Sequence, residues 1–572
     1  MNENVKIVFG LLGGLALFLY GMNGMSDALQ KTAGDKMKKI LSFLTKNPIM
    51  GALAGALVTA VLQSSSATTV MVIGFVSAGL MSLPQAISVI FGANIGTTMT
   101  AQLMAFKISD YIYPLIFIGF MMNFVCKKEQ LKNIGLVIFS FGILFEGIEI
   151  MGSVMKPLAT SAIFVDLMAK VKEIPILGVA LGTIMTLVVQ SSSATIAVLQ
   201  NFAAQPGPDG VTSVMGLAGA IPILLGDNIG TTITALLASI GQSKNAKRTA
   251  IAHSIFNISG SCVFIFLVPW FAKFVQFISP KGNEIDVISR QIANAHTTFN
   301  IVCTLVWLPL IPLMVKIVTT IIRGNDKTEK AAFEPKYLDM KVIEQPAAAM
   351  VLVSKELNRL GELAESLLSD LKTAIVADGD SKTHGSFIEN LEIVHQLQDS
   401  VTEYITRLFA SGNLTEQQSE QTAGLLYVNN SIQRIADRCE DIDQICEKVN
   451  NNGKRLTSEA SSEMEDCIDI IQQLLKKAME AIRKGDAVVA ETVFKNKKKM
   501  HKAEKKYSKA HLNRVKNEVC DASMTRYFSG IMYNFDRMAD NCVSIAEEAC
   551  DNVAFINLDE ETGKSMMERG AV

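Results

Sequence analysis

Charge is what the first half of this sequence lacks. Between Lys46 and Lys107 there is no Asp, Glu, Lys or Arg. Further charge-free runs separate Lys6 from Asp27, Glu173 from Asp209, Arg248 from Lys273 and Arg290 from Lys316. A bilayer core takes about 20 apolar residues per helix, and every one of these runs reaches that length. They exclude a soluble protein, a secreted disulfide scaffold and a nucleic-acid binder, and they make the N-terminal half a polytopic membrane domain. Cysteine patterning is also missing. Cys126, Cys262 and Cys303 fall in apolar segments, and the others are scattered through the polar half with neither CxxC nor Cys/His zinc spacing, as expected of buried free thiols. No phosphate-binding P-loop, kinase set or nucleophile–base triad is present, so an enzyme is not expected. Only Lys6 precedes the first apolar run and no A-x-A-like cleavage site follows it. Residues 5–25 therefore read as a first membrane helix rather than a removed signal peptide.

What is present is divided unevenly. Residues 1–324 hold 21 Lys/Arg and 13 Asp/Glu, a net +8, whereas 325–572 hold 32 and 42, a net −10. Inside the membrane half the sequence repeats itself. Gln63-Ser64-Ser65-Ser66-Ala67-Thr68 recurs as Gln190-Ser191-Ser192-Ser193-Ala194-Thr195. Gly92-Ala93-Asn94-Ile95-Gly96-Thr97-Thr98 recurs as Gly226-Asp227-Asn228-Ile229-Gly230-Thr231-Thr232. Gly21 and Met25 are echoed by Gly147 and Met151. Matches in one order at nearly one offset define duplicated units at about 5–126 and 133–272. A smaller echo, Ala252-His253 with Phe256-Asn257 and Ala295-His296 with Phe299-Asn300, relates two later helices.

Each unit has a first spanning helix (5–25, 134–151), a polar amphipathic stretch (26–47, 152–174), and an apolar segment running into the QSSS cluster (49–62, 176–189) and out of it (67–82, 194–204). A segment with the NIGTT motif follows (85–106, 215–240), then further spans (111–126, 249–272). A last helix is expected over 296–322. The apolar stretches on either side of each polar cluster are too short to span separately, and suit broken or re-entrant helices.

Four polar side chains at membrane depth need a protein interior or a watery cavity around them. A helix starting at such a cluster offers unpaired N–H groups and about half a positive charge, and Ser or Thr hydroxyls add rotatable donors. That chemistry suits an oxyanion. The NIGTT segments supply carbonyl, amide and hydroxyl oxygens for a hard monovalent cation, with their glycines expected to let the chain unwind. Paired broken helices in two repeats are the pattern of secondary transporters. A lone Ser or Thr in a membrane helix usually serves packing or bonds back to its own helix; a QSSSAT cluster occurring twice, each followed by NIGTT, is not expected by that route. Asp227 is expected to be functional unless it lies at a cavity mouth. Gly51, Gly55 and Gly74 read as close-approach glycines, and His253 and His296 as donors to helix carbonyls.

At these residues the chain resembles the type II sodium–phosphate cotransporter family and its bacterial members, over about 1–322. The resemblance implies an all-α membrane domain at 1–324 built from two inverted repeats with broken hairpins meeting near the midplane, with sodium as the co-transported ion, no organic cofactor, and inorganic phosphate as substrate. By position, phosphate binding maps onto Gln63, Ser64, Ser65, Ser66, Gln190, Ser191, Ser192 and Ser193. Sodium binding maps onto Gln63, Asn94, Thr97, Thr98, Gln190, Asn228, Thr231 and Thr232. Asp227, where the family usually has a small uncharged residue, is a further sodium candidate. A sodium-coupled carrier of another small anion, and a membrane phosphate sensor without net transport, are the alternatives.

Beyond a linker at 325–346, residues 347–556 are charged and poor in Gly and Pro. Apolar residues at helical spacing, Val353, Leu357, Leu360, Ala364, Leu367 and Leu371, predict long amphipathic helices in bundles. Gln433-Arg434-Ile435-Ala436-Asp437 is matched further on by Asp536-Arg537-Met538-Ala539-Asp540. This half resembles a PhoU-like phosphate-regulatory domain of two three-helix bundles, followed by a tail at 557–572. In that family such carboxylates, one turn apart on one helix face, can hold metal ions. Asp536 with Asp540 is the better candidate pair, and Asp437 the candidate left in the first copy, where Gln433 replaces its partner. The lysines between Lys495 and Lys509 read as a solvated face, or as one that touches anionic lipid or a partner. Lys31, Lys36, Lys38, Lys39 and Lys46 put the loop 28–48 in the cytoplasm. The polar half is expected on the same side of the inner membrane. Beyond membrane lipid, a homodimer and a cytoplasmic regulator acting through the PhoU-like domain are compatible partners; nucleic acid is not.

Overall fold

A computed structural model of the chain describes residues 3–42, 47–106, 108–159, 170–171, 173–207, 209–324, 333–376 and 381–556. The tail at 557–572, residues 160–169 and 172 of the polar stretch 152–174, and the start of the linker lie outside the described residues. The chain divides into two units, 1–326 and 327–572.

The first unit is helical, as charge-free sequence at membrane depth demands, because only internal hydrogen bonding can satisfy the backbone there. Its elements are α1 (Glu3–Ser42), α2 (Pro48–Leu62), α3 (Ser65–Ser77), α4 (Leu83–Met104), α5 (Ile112–Val125) and α6 (Glu129–Ala159). There follow α7 (Pro175–Val189), α8 (Ser192–Ala203), α9 (Gly216–Gly230), α10 (Thr232–Ser239), α11 (Lys244–Ile278), α12 (Glu284–Trp307) and α13 (Ile311–Ile321). Among the described residues four stretches are long and apolar enough to cross a membrane: 5–33, 129–155, 216–239 and 244–278.

Two expected boundaries move. The first span and the polar stretch after it form one continuous helix, α1, since no proline stands between Ser26 and Ser42 and Gly34 is the one glycine there. The helix expected at 296–322 is two helices, α12 and α13, bent by 85°. Pro309 and Pro312 stand at that bend, and a proline removes an N–H and clashes with the preceding turn.

Close approach between helices rests on glycine in both repeats. A Cβ on Gly21 would meet the Ser140 carbonyl of α6 at 2.6 Å, and one on Gly147 the Gly14 carbonyl of α1 at 2.6 Å. Since Gly147 is the repeat partner of Gly21, α1 and α6 meet through equivalent surfaces. The hairpins are seated the same way. A Cβ on Gly55 would lie 2.1 Å from the Val89 carbonyl and one on Gly92 1.8 Å from that of Ala52, joining α2 to α4. In the second copy, Gly182 faces the Ile223 carbonyl and Gly226 that of Val179, both at 2.0 Å, joining α7 to α9. The close-approach reading of Gly55 holds.

The second unit has α14 (Pro346–Val376), α15 (Ser381–Ala410), α16 (Glu416–Asn451), α17 (Ser458–Lys484), α18 (Ala487–Lys516) and α19 (Thr525–Cys550). Val353, Leu357, Leu360, Ala364, Leu367 and Leu371 are all buried in one apolar core with Val394, Leu397, Ile432, Ile471, Leu475, Phe535 and Met538, so the helical periodicity marked the buried stripe. The cysteines are free as expected, but only Cys303, Cys439, Cys467 and Cys542 are buried, and Cys262 and Cys550 are exposed.

Candidate functional site: twin helix breaks and the motifs behind them

In the first repeat, α2 stops at Leu62 and α3 starts at Ser65. Gln63 between them adopts φ 50°, ψ 22°, and Ser64 is extended, its side chain accepting from the Ala67 N–H. In the second repeat, Gln190 adopts φ 54°, ψ 23°, and Ser191 accepts from the Ala194 N–H. The left-handed region costs a non-glycine residue energy. Among the described residues it holds four non-glycines, two of which are these glutamines. Backbone strain kept at two equivalent places marks positions the surrounding fold holds in that conformation.

The result is two hairpins of short helices with a polar tip. A hydroxyl pair ties each together: Thr59 to Thr68 at 2.9 Å, and Thr186 to Thr195 at 3.1 Å. The Gln63 carboxamide oxygen accepts from Thr100 of α4 at 2.8 Å. Ser66 of the first tip lies 3.1 Å from the Thr234 hydroxyl of α10, just beyond the second NIGTT motif, so the first cluster touches the second repeat there. Gln63, Ser65, Ser192 and Ser193 are buried, Ser64, Ser66 and Ser191 half-buried, and Gln190 exposed.

The NIGTT segments depart from expectation. Asn94 to Thr98 continue α4 without a break, while in the second copy the helix is interrupted only at Thr231. Gly92 and Gly96 are used for packing, with the Ala52 and Ala56 carbonyls where their side chains would be, and not for unwinding. Thr97 and Thr98 donate to carbonyls of their own helix, and Thr231 and Thr232, at the interruption, donate back to the Asp227 and Ile229 carbonyls of α9. Asn228 donates to the Leu224 carbonyl at 2.9 Å.

Asp227 is fully buried. Its two carboxylate oxygens accept from Thr186 at 2.7 Å and from Ser192 at 2.6 Å. Thr186 has one proton to give, so Thr195 is the donor in their pair. Among the described residues no Lys, Arg or His forms an ion pair with Asp227. The acid thus reaches, without exposure, from the second NIGTT motif into the second QSSS cluster. In the first repeat its place is taken by Ala93.

The His/Asn echo supplies residues whose role the sequence did not reveal. His253 of α11 bonds through Nε2 to the Asn94 side-chain oxygen at 3.0 Å, not to a helix carbonyl, and Asn300 of α12 donates to the Asn228 side-chain oxygen at 3.3 Å. Both NIGTT asparagines are therefore backed by a side chain of the echoed pair. Asn94 Nδ2, His253 Nδ1, Asn257 Oδ1, His296 Nδ1 and Asn300 Oδ1 are buried with no protein partner. The recurrence of A-H-x-x-F-N was the available signal; which motif it faced was not in the pattern.

In the second unit, His395 Nε2 lies 3.1 Å from Asp437. That bond, with the field of Asp437, raises the imidazole above its ordinary value. Asp540 is paired with Lys497 and, at 3.0 Å, with Arg537, which also lies 3.8 Å from Asp536. Cationic side chains already neutralise this acidic pair, so Asp536 and Asp540 as they stand do not fit a metal ion. Of the basic stretch, Lys495 pairs with Glu491, and Lys498, Lys499, Lys502, Lys505, Lys506 and Lys509 line the same helix, α18.

Comparison with known proteins agrees with these features. The model of the Na+/Pi-cotransporter family matches residues 17–153 and 147–279, and that of the PhoU domain matches 357–445 and 464–549. The chain is 33% identical over 266 residues to the uncharacterized protein YqeW of Bacillus subtilis, 46% of this chain and 84% of that one. It is 23% identical over 560 residues, 97% of this chain and 99% of the other, to a Salmonella typhimurium protein named "Putative inorganic phosphate export protein YjbB". A stretch of 99 residues, 17% of this chain and 15% of the relative, is 39% identical to the rat "Sodium-dependent phosphate transport protein 2A". No solved structure matches the chain. With two copies of the cotransporter signature in its membrane half and two of the PhoU signature after it, the chain belongs to the Na+/Pi-cotransporter family.

Proposed function

We propose that this protein moves inorganic phosphate across the inner membrane together with sodium, and that its PhoU-like half lies in the cytoplasm and regulates that movement. The observation that carries the reading is the pair of matched breaks at Gln63–Ser64 and Gln190–Ser191, each opening a helix whose first turn is rich in serine. The backbone N–H groups of Ser65, Ser66, Ser192 and Ser193 lie in those first turns, where an intrahelical acceptor is lacking and the helix dipole is positive. Hydroxyls of Ser65, Ser66 and Ser193 add donors for phosphate oxygens without a lysine or arginine, while that of Ser192 is given to Asp227.

A doubly charged anion bound by neutral donors needs counter-charge from elsewhere. Sodium supplies it in this reading. Side-chain oxygens of Gln63, Asn94, Asn228 and Asp227 and hydroxyls of the NIGTT threonines are of the kind a hard monovalent cation takes. Asn257 and Asn300 add buried oxygens that have no protein donor. The sodium-dependent transport in the name of the rat relative, and the phosphate export in that of the Salmonella relative, support phosphate as cargo. The lysines from Lys31 to Lys46, at the end of α1 and just after it, support a cytoplasmic face there.

The test is equilibrium binding of radiolabelled phosphate to the purified protein in sodium or in potassium at equal ionic strength, with sulfate as competitor. Phosphate retained in sodium, lost in potassium and not displaced by equimolar sulfate is expected. Equal binding in the two salts would overturn sodium coupling, and displacement by sulfate would favour a carrier of another anion.

A further inference from the structure

Close acidic groups in the second unit commonly have a cationic answer. Glu463 is met by Arg514 at 2.6 Å, Asp469 by Lys372 at 2.6 Å, Asp441 by Arg438 at 2.8 Å, and Glu480 by Lys477 and Lys484 at 2.7 and 2.8 Å. Asp443 and Glu447 are an exception. They stand one turn apart on α16, so their carboxylates share a face and repel. Among the described residues neither forms an ion pair with a Lys or Arg. Facing them is His384, from the first turn of α15, with Nδ1 3.5 Å from Asp443 and Nε2 3.5 Å from Glu447. Both distances exceed a normal hydrogen bond. The Asp443 side chain is 10% exposed. It is thus a nearly buried carboxylate aimed at the ring, with no hydrogen-bond donor at normal bonding distance among the described residues.

One ligand atom from each of the three residues can be chosen so that all lie within 4.8 Å of one another. Ligands at zinc with bonds of about 2.0–2.1 Å are about 3.3 Å apart in a tetrahedron, so small rotamer changes at the exposed Glu447 and the half-buried His384 suffice to close the set. We propose that His384, Asp443 and Glu447 form a binding site for a divalent transition-metal ion, zinc or manganese in class, that fastens the start of α15 to α16. One imidazole with two carboxylates is a mixed nitrogen–oxygen set, which favours such an ion over magnesium with its preference for oxygen and water. The site is separate from the acids of the repeated motif: Asp437 faces His395, and Asp536 and Asp540 face Arg537 and Lys497.

The experiment uses the full-length protein, purified without a polyhistidine tag and stripped with EDTA, titrated with Zn2+ in a calorimeter beside the His384→Gln and Glu447→Gln variants. Thermal unfolding is followed with and without the metal. The wild-type protein is expected to bind Zn2+ and to melt at a higher temperature with it. Each variant should bind it more than about tenfold more weakly at this site and lose the rise in melting temperature, while metal-free melting temperatures stay equal. Mg2+ at the same concentration should give neither heat nor shift. The two substitutions sit on different helices, so misfolding of one leaves the other to decide. Absence of Zn2+ binding to the wild type, or unchanged affinity and stoichiometry in a folded variant, would overturn the site.

Discussion

Replacing Asp227 by Asn isolates the one charge inside the paired motifs. Asn keeps the size and one oxygen, and it can still accept from Thr186 or from Ser192, so packing against α7 and α8 is preserved. What it loses is attraction for a cation. Two unit charges about 4 Å apart interact by about 4 kcal/mol at an effective dielectric of 20. The amide oxygen retains part of that through its dipole, leaving a net loss on the order of 2 kcal/mol, or roughly 30-fold in sodium affinity at about 1.4 kcal/mol per tenfold. The assay is phosphate uptake as a function of sodium concentration, at fixed pH, for wild type and variant. The variant's curve should shift to higher sodium by that factor, with uptake at saturating sodium largely preserved. Superimposable curves would refute a sodium role for Asp227. They would leave a buried carboxylate satisfied by two hydroxyls, 2.6 and 2.7 Å away, as a structural feature of the second hairpin alone.

Three further outcomes follow from the same geometry. Ser65→Ala removes a buried hydroxyl at the first helix start; a lost bond to a charged ligand costs about 1.5–3 kcal/mol, so phosphate affinity should fall about tenfold or more in the binding assay. Gly92→Ala drives a methyl group to 1.8 Å from the Ala52 carbonyl, an overpacking of about 1–3 kcal/mol or more. It should abolish the monodisperse detergent-solubilised protein, while Gly13→Ala, with nothing within 4 Å, should leave the yield unchanged. In the second unit the imidazole of His395 is raised by Asp437. Its bond therefore stabilises the fold fully below the ordinary imidazole value of about 6.5 and is lost as the pH rises through the higher folded value. Asp437→Asn should lower the melting temperature at pH 6 and leave it close to wild type at pH 9.

Much of this was legible because polar residues in a charge-free sequence are rare enough to mark structure. The QSSS clusters located both helix breaks closely, since the short apolar helices that flank them, such as Pro48–Leu62, Ser65–Ser77 and Pro175–Val189, have no other way to sit at membrane depth. The stripe from Val353 to Leu371 showed the buried face of α14 for the ordinary reason that burial follows the helical period. Glycine was ambiguous. In a membrane helix it permits either unwinding or close contact, and only the partner decides; for Gly92 and Gly96 the partner is α2, separated from them in sequence. The bend at Pro309 has a local signal, the proline itself, set in an otherwise apolar run. Side-chain pairs across the fold, His253 with Asn94, Asn300 with Asn228 and His384 with Asp443 and Glu447, belong to different helices, and no local pattern gives them. The departure of Asp227 from Ala93 was visible in the alignment of the two repeats, but its hold on Ser192 was not.

The central claim, that the twin breaks serve sodium-coupled phosphate movement, is tested most directly by flux. Purified protein is reconstituted into proteoliposomes, and entry of radiolabelled phosphate is followed with sodium outside, then with potassium outside, each with the gradient collapsed by an ionophore as control. Accumulation of phosphate above its outside concentration with an inward sodium gradient, absent in potassium and abolished by the ionophore, is the predicted result. Phosphate entry that is the same in sodium and potassium, or no entry by a protein that binds phosphate in solution, would contradict it.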